Sequence, residues 1–251
     1  TTKIYDRNGV LLYEIYKDEN RSLIKLSDLP QHLINATLAA EDKNFYRHFG
    51  VDIAGVTRAA LTNLRCRISH DECTLQGGST ITQQLVKNTL LTPEKTLIRK
   101  FNELILAIEI EQAYSKDQIL EMYLNQVSYG GTAYGVEQAS WQYFGKSARD
   151  LTLSESAMLA GLPISPTSLS PFGVTHYLSK IRQEQVLTGM IETGAINSSE
   201  KDQALAIPLA FHPHGTLIRA PHFVMYVKDL LVKEYGEDVV AHGGLTVTTT
   251  L

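Results

Sequence analysis

A mainly helical fold with β structure at its two ends is what this 251-residue sequence predicts, and three observations carry the prediction. Apolar positions recur at helical spacing across most of the chain between Pro30 and Tyr235. Capping boxes open helices at Ser115 to Gln118 and at Thr152 to Glu155. An Asn8-Gly9 pair separates two β-prone runs, Lys3 to Arg7 and Val10 to Glu14, which is a strong hairpin signal.

After the hairpin, Pro30 suits the first turn of a helix running through Ile34 and Leu38 to Glu41. Glu41 then stands at the C-terminal end, where the helix macrodipole disfavours a carboxylate and favours its protonated form. Beyond Gly77-Gly78, Ser79 or Thr80 caps a helix through Asn88, with Thr80, Gln84 and Lys87 on one face and Ile81 and Leu85 on another. The next helix, about Thr96 to Tyr114, has Leu97, Phe101, Leu104, Ile105 and Ile108 as its core stripe and Arg99, Lys100 and Glu103 off it. A helix from Ser115 carries Glu121 and Asn125, and the Thr152 helix ends before the Pro/Ser stretch from Pro163 to Pro171. Helix resumes from about His176 to Glu192 and stops at Gly194. A last amphipathic stretch holds Phe223, Val227, Leu230, Leu231 and Tyr235, and Gly243 to Leu251 reads as a strand that, needing a partner, looks like the start of something removed.

Composition narrows the function. A net charge of −4 does not advertise nucleic acid, so any anionic ligand must meet a local group of cations. No apolar run approaches the roughly 20 residues that span a bilayer. The chain starts without Met or a signal peptide, which suggests an excised ectodomain or a processed product. Cys66 and Cys73 leave a short disulfide loop and free thiols both open, and a zinc site would need two further ligands.

The chemistry-bearing residues fall into ordered motifs. Glu41 and Glu103 are the candidate carboxylate pair, although any chain with 27 acidic residues contains many ordinary surface pairs. Arg99 and Glu103 also have an ordinary reading, an i,i+4 ion pair worth about 0.2–0.5 kcal/mol. Against that reading, Lys87, Lys95, Arg99 and Lys100 gather beside a Ser/Thr/Gln helix start suited to anions, with Glu94 the single acid among them. His48 reads as a hydrogen-bonded structural residue, because an adjacent acid already supplies a base. Two carboxylates beside clustered cations suit an enzyme that deprotonates a sugar hydroxyl and stabilises a departing diphosphate.

In these motifs the chain resembles the peptidoglycan glycosyltransferase family 51. They are Glu41-Asp42 with Phe45, His48 and Gly50; Gly78 to Gln84; Arg99-Lys100 with Glu103; Lys116 with Ile119 to Glu121 and Tyr123 to Asn125; and Arg182 with Val186-Leu187. The resemblance implies a lysozyme-like helical domain over residues 30–210, with a small mobile jaw lobe at about 50–77. An N-terminal hairpin and linker would occupy 1–29, and 211–251 would begin a linker toward a transpeptidase domain, as in class A penicillin-binding proteins. It further implies polymerisation of lipid II into β-1,4 glycan with inversion, Glu41 acting as the general base. Arg58, Ser79, Thr80, Gln83, Gln84, Lys87, Lys95, Arg99 and Lys100 would bind the diphosphate donor. Glu103 would orient those cations or hold a divalent ion, and Asp42, Phe45, His48, Gly50, Glu121, Asn125 and Arg182 would be structural.

No cofactor is strictly required by the resemblance, and magnesium or manganese at the diphosphate is compatible with it. The implied partners are lipid II, the growing glycan, the membrane surface, other cell-wall synthesis proteins and moenomycin-type inhibitors. The implied location is the outer face of the cytoplasmic membrane, with the anchor absent from this chain. A lysozyme-like hydrolase and a non-catalytic glycan- or lipid-binding module are the competing readings.

Overall fold

Residues 2–15, 20–55, 57–58, 78–91, 96–130, 133–172, 175–212, 220–236, 239–240 and 243–251 are those described in the computed structural model. Cys66, Cys73, Lys95 and most of the 50–77 segment lie outside them.

The hairpin forms from β1 (Thr2–Tyr5) and β2 (Leu11–Ile15), paired antiparallel. Asp6 shapes its turn by accepting hydrogen bonds from the Asn8 and Val10 N–H groups, while Gly9 takes φ +80°. On the other edge of β1 lies β6 (Thr246–Thr248), running parallel. The C-terminal strand therefore has a pairing partner within this chain. Helix α9 (Pro221–Tyr235) covers this sheet with Val224, buried among Ile4, Leu12 and Val240. Leu230 and Tyr235 of the predicted apolar face stay exposed.

The main body is helical. Helix α1 (Gln31–Glu41) starts one residue after Pro30, which is its N-cap. It is followed by α2 (Ile81–Thr89), α3 (Leu97–Ala113) and α4 (Lys116–Gln126). Thr80, Thr96 and Ser115 cap these three with side-chain oxygens, and Thr80 and Ser115 do so in full capping boxes. A small sheet of β3 (Asn20–Arg21), β5 (Ala133–Tyr134) and β4 (Ser128–Gly130) leads to α5 (Val136–Phe144). Helices α6 (Leu153–Gly161), α7 (Tyr177–Glu192) and α8 (Ser198–Ala206) complete the body.

Two apolar clusters hold it together. Leu33, Phe45, Ile81, Leu85, Leu120, Tyr123, Leu124 and Tyr143 belong to the larger one, which joins α1, α2, α4 and α5. The smaller joins α1, α6 and α7 through Ala36, Ala39, Ala157, Ala160, Val186 and Leu187. Its short side chains let these helix axes approach closely, since axial distance follows side-chain size at the contact. Residues 22–26 run extended against α4. Asn125 clamps Ile24 from both sides, accepting from its N–H and donating to its C=O at 2.9 Å each, and Glu121 accepts from the Leu26 N–H at 2.7 Å.

Helix α3 departs from its predicted orientation. Of the expected core stripe, Phe101 is 63% exposed, with Ile105 and Ile108 also exposed and Ile98 at 76%. The buried face instead holds Glu103, 2% exposed, and Ala107. Periodicity reveals that a helix has an apolar face, not which phase that face meets. Here the choice is steric: Gly50, at φ +81°, abuts α3 so closely that a Cβ there would lie 2.9 Å from the Ala107 carbonyl oxygen, and Glu103 on that buried side is paired with cations of its own helix.

Asn125→Ala strands both Ile24 backbone groups, each buried group left unpaired costing about 1–3 kcal/mol. Urea unfolding is expected to show a lower midpoint with an unchanged slope.

Candidate active site

Asp42, the C-cap of α1, ties the end of that helix to the start of α2. Its carboxylate accepts the Ile81 N–H at 3.1 Å, a favourable place for negative charge at a helix N-terminus, and His48 Nε2 at 2.9 Å. A carboxylate only accepts, so His48 carries its proton on Nε2 toward Asp42. Thr80 adds a second tie, donating to the Gly50 carbonyl at 2.6 Å. Around them, Lys116 pairs with Glu111, which also accepts from Thr82, and lies 4.4 Å from the centroid of the buried Phe45 ring. These contacts fix α2 beside α1.

Glu41 ends α1 one residue before that clamp. One turn into α2, Gln84 reaches across and donates Nε2–H to Glu41 Oε2 at 2.7 Å, while Tyr123 O–H donates to the Gln84 carbonyl at 3.4 Å. The other oxygen, Oε1, is shielded from solvent and has no hydrogen-bond partner. Burial pushes the Glu41 carboxyl above its ordinary value of 4.5; the Gln84 hydrogen bond, then Arg182, then Lys87 work against that rise, and Asp42 adds to it. Desolvation thus outranks every charge acting on it.

Glu41 lines a cleft of about 480 Å³ together with Asp42, Lys43, Arg58, Ser79, Thr80, Arg182 and Glu192. Next to it lies an apolar depression of about 410 Å³, formed by Val51, Ile53, Thr57, Gln83, Lys100 and Leu104, and the two meet at Gly78 and Ser79. Glu103 controls the second space from below. Its buried carboxylate is paired with Lys100 and lies 3.8 Å from Arg99 Nη1, and Lys100 Nζ donates to Ser79 Oγ at 3.2 Å.

The Transglycosylase family model matches residues 8–191 of the sequence. The chain belongs to this transglycosylase family. Penicillin-binding protein 1A of Neisseria gonorrhoeae is 44% identical over 250 residues, 98% of this chain and 30% of that protein. Its namesake in Rickettsia conorii is 40% identical over 100% of this chain and 32% of its own length. The transglycosylase chain therefore spans about a third of these curated relatives. Among solved structures, penicillin-binding protein 1A from Haemophilus influenzae aligns with a TM-score of 0.58 at 27% identity, covering 100% of this chain and 27% of that one. That likeness agrees with the mainly helical, lysozyme-like fold.

Within the candidate site, the sequence-derived residues divide between the two spaces, with Ser79 common to both. Glu41, Arg58, Ser79 and Thr80 line the cleft, and Lys100 and Gln83 the depression. Gln83 is also spent on the capping box, accepting from the Thr80 N–H. Lys87 is exposed and acts on Glu41 by charge, and Arg99 stays with Glu103. Arg182, expected to be structural, lies in the cleft. Lys43 and Glu192, an ion pair in the cleft wall, carried no signal in the sequence beyond proximity of Lys43 to Glu41. For a divalent ion, no group of three or more His, Cys, Asp or Glu assembles among the described residues, and the Glu103 carboxylate is taken by its cations.

Because burial raises the folded-state proton affinity of Glu41, its ionisation opposes folding. The penalty is absent below about 4.5, grows as pH rises through the raised folded value, and is complete above it. Glu41→Gln is therefore expected to raise the thermal midpoint at pH 7.5 and to lose that advantage near pH 4, as read by calorimetry at both pH values.

Proposed function

We propose that this transglycosylase domain polymerises lipid II into β-1,4 glycan by a single inverting displacement. Glu41 takes the proton of the acceptor's 4-hydroxyl as that oxygen bonds to the donor's anomeric carbon. The bond from that carbon to the diphosphate oxygen breaks, and undecaprenyl diphosphate leaves with the electron pair. Arg58, Ser79 and Lys100 stabilise the charge that develops on it, Glu103 holds Lys100 toward Ser79, and Thr80 positions the loop that carries Ser79 through its bond to Gly50. The observation that carries this reading is the state of Glu41: one oxygen is positioned by Gln84, the other is uncommitted, and burial raises its affinity for a proton above that of an ordinary carboxylate.

Hydrolysis of a glycosidic bond by the usual route needs a second carboxyl group free to donate or attack. Glu103 is saturated by Lys100 and Arg99, which favours transfer. The exposed stripe Ile98, Phe101, Ile105 and Ile108, with exposed Phe49 beside the Gly50 that abuts Ala107, supports a resting place on the lipid surface that delivers the substrate. This supports our reading of a domain that works at the outer face of the cytoplasmic membrane, alongside other cell-wall synthesis proteins. A moenomycin-type inhibitor would compete for the same cations.

With purified lipid II, the parent protein is expected to yield polymer and Glu41→Gln to lose about 10²–10⁴-fold in rate. Shortened glycan as product would favour the hydrolase, and bound but unchanged lipid II the binding module. Lys100→Ala should cost on the order of 100-fold, as loss of one preorganised donor does elsewhere. For the membrane contact, Ile98→Ser combined with Phe101→Ser is expected to abolish co-sedimentation with anionic vesicles while circular dichroism stays unchanged.

A further inference from the structure

We infer that Arg182 is a positioning residue for Glu41, reaching from α7 to cap the carbonyl end of α1 and to stand as the counter-charge of the carboxylate there. The inference rests on the reading of Glu41 as the base and adds a residue that acts through it.

The placement is built by the seam of small residues. A Cβ on Gly161 of α6 would come within 2.8 Å of Arg182 Cγ, so the arginine stem lies directly over that glycine. Gly189, two turns further along α7, would place a Cβ 3.3 Å from the Ala39 carbonyl oxygen, which marks how closely α7 passes α1. Packed in this way, the guanidinium extends to α1 and donates Nη2–H to the Ala40 carbonyl at 3.3 Å, and Nη1–H to Gln185 at 3.3 Å. Ala40 immediately precedes Glu41, and its carbonyl is among the last four of a helix, which lack intrahelical donors. Arg182 thus answers the negative end of α1 at the point where the carboxylate adds more negative charge.

Two unpartnered buried atoms of opposite character remain in this corner, Glu41 Oε1 and Arg182 Nε. The two residues also influence each other consistently: Arg182 favours the charged form of Glu41, and Glu41 offsets the burial that disfavours charge on Arg182. The remaining groups facing Glu41 are Gln84 and Lys87 from α2, Asp42 beside it, Tyr123 from α4 and Tyr129 from β4. Both phenols are held neutral by burial, with Glu41 adding to the effect, and Lys87 is exposed and screened. Arg182 is the strongest of the charges that favour the carboxylate.

The test follows the Glu41 carboxyl directly, by carbon-13 NMR titration of glutamate-labelled protein, with the resonance assigned by its loss in Glu41→Gln. Alongside it runs the pH dependence of lipid II polymerisation. In Arg182→Gln the titration and the acid limb of the rate profile are both expected to move to higher pH by the same amount. Arg182→Lys, which keeps charge but not the planar cap, should move them less. A folded Arg182→Gln in which Glu41 titrates as in the parent overturns the inference and leaves Arg182 a packing residue. Should Arg182→Gln not fold, Gly161→Ala displaces the stem without removing charge and is expected to move the titration in the same direction; no movement there overturns the inference equally. Polymerisation by Glu41→Gln would instead overturn the base assignment, and the NMR titration would still decide the place of Arg182.

Discussion

Everything at the site depends on the carboxylate of Asp42, which joins the end of one helix to the start of another. By accepting from the Ile81 N–H and from His48, it sets the first turn of α2 against the last turn of α1. That register is what allows Gln84 to reach Glu41. The clamp is strong because its acceptor is a carboxylate, 7% exposed and aimed at the positive end of a helix, where it is stabilised without needing a cation. It also spares Glu41, whose neighbouring acid takes on the structural work and leaves one oxygen of Glu41 uncommitted.

Two glutamates are given opposite lives by their surroundings. Glu41 is desolvated with one amide hydrogen bond and cations at a distance, so it is poised to take up a proton. Glu103 is buried but paired to Lys100 and adjacent to Arg99, so it organises charge. Environments that separate the behaviour of like groups are how one site obtains both a base and a charge scaffold. The same helix that turns Glu103 inward turns Ile98 and Phe101 outward. An exposed apolar stripe of this kind marks an interaction surface.

Away from the site, the two ends of the chain meet in one sheet, with β1 between β2 and β6 and α9 packed upon it. Residues 22–26 belong instead to the helical body, through Asn125 and Glu121. The passage from one unit to the other therefore falls within the first twenty or so residues, and the α4 side chains that receive it lie in the same helix as Tyr123, which supports Gln84.

Helix positions, their caps and the N-terminal hairpin were legible in the amino-acid order, because hydrophobic period, capping boxes and an Asn-Gly turn act over a few residues. Glu41 at the end of α1, Thr80 as a cap and the cations near Glu103 all belong to that local class of information. What folding in three dimensions settled was the direction each face points and which distant groups converge. Periodicity could not say that Phe101 faces outward, since that follows from Gly50 abutting Ala107 on the opposite side of the helix. Nor could it say that Arg182, 141 positions beyond Glu41 in the sequence, lies beside it, because Gly161, Gly189 and a seam of alanines bring the helices together only once all of them are packed.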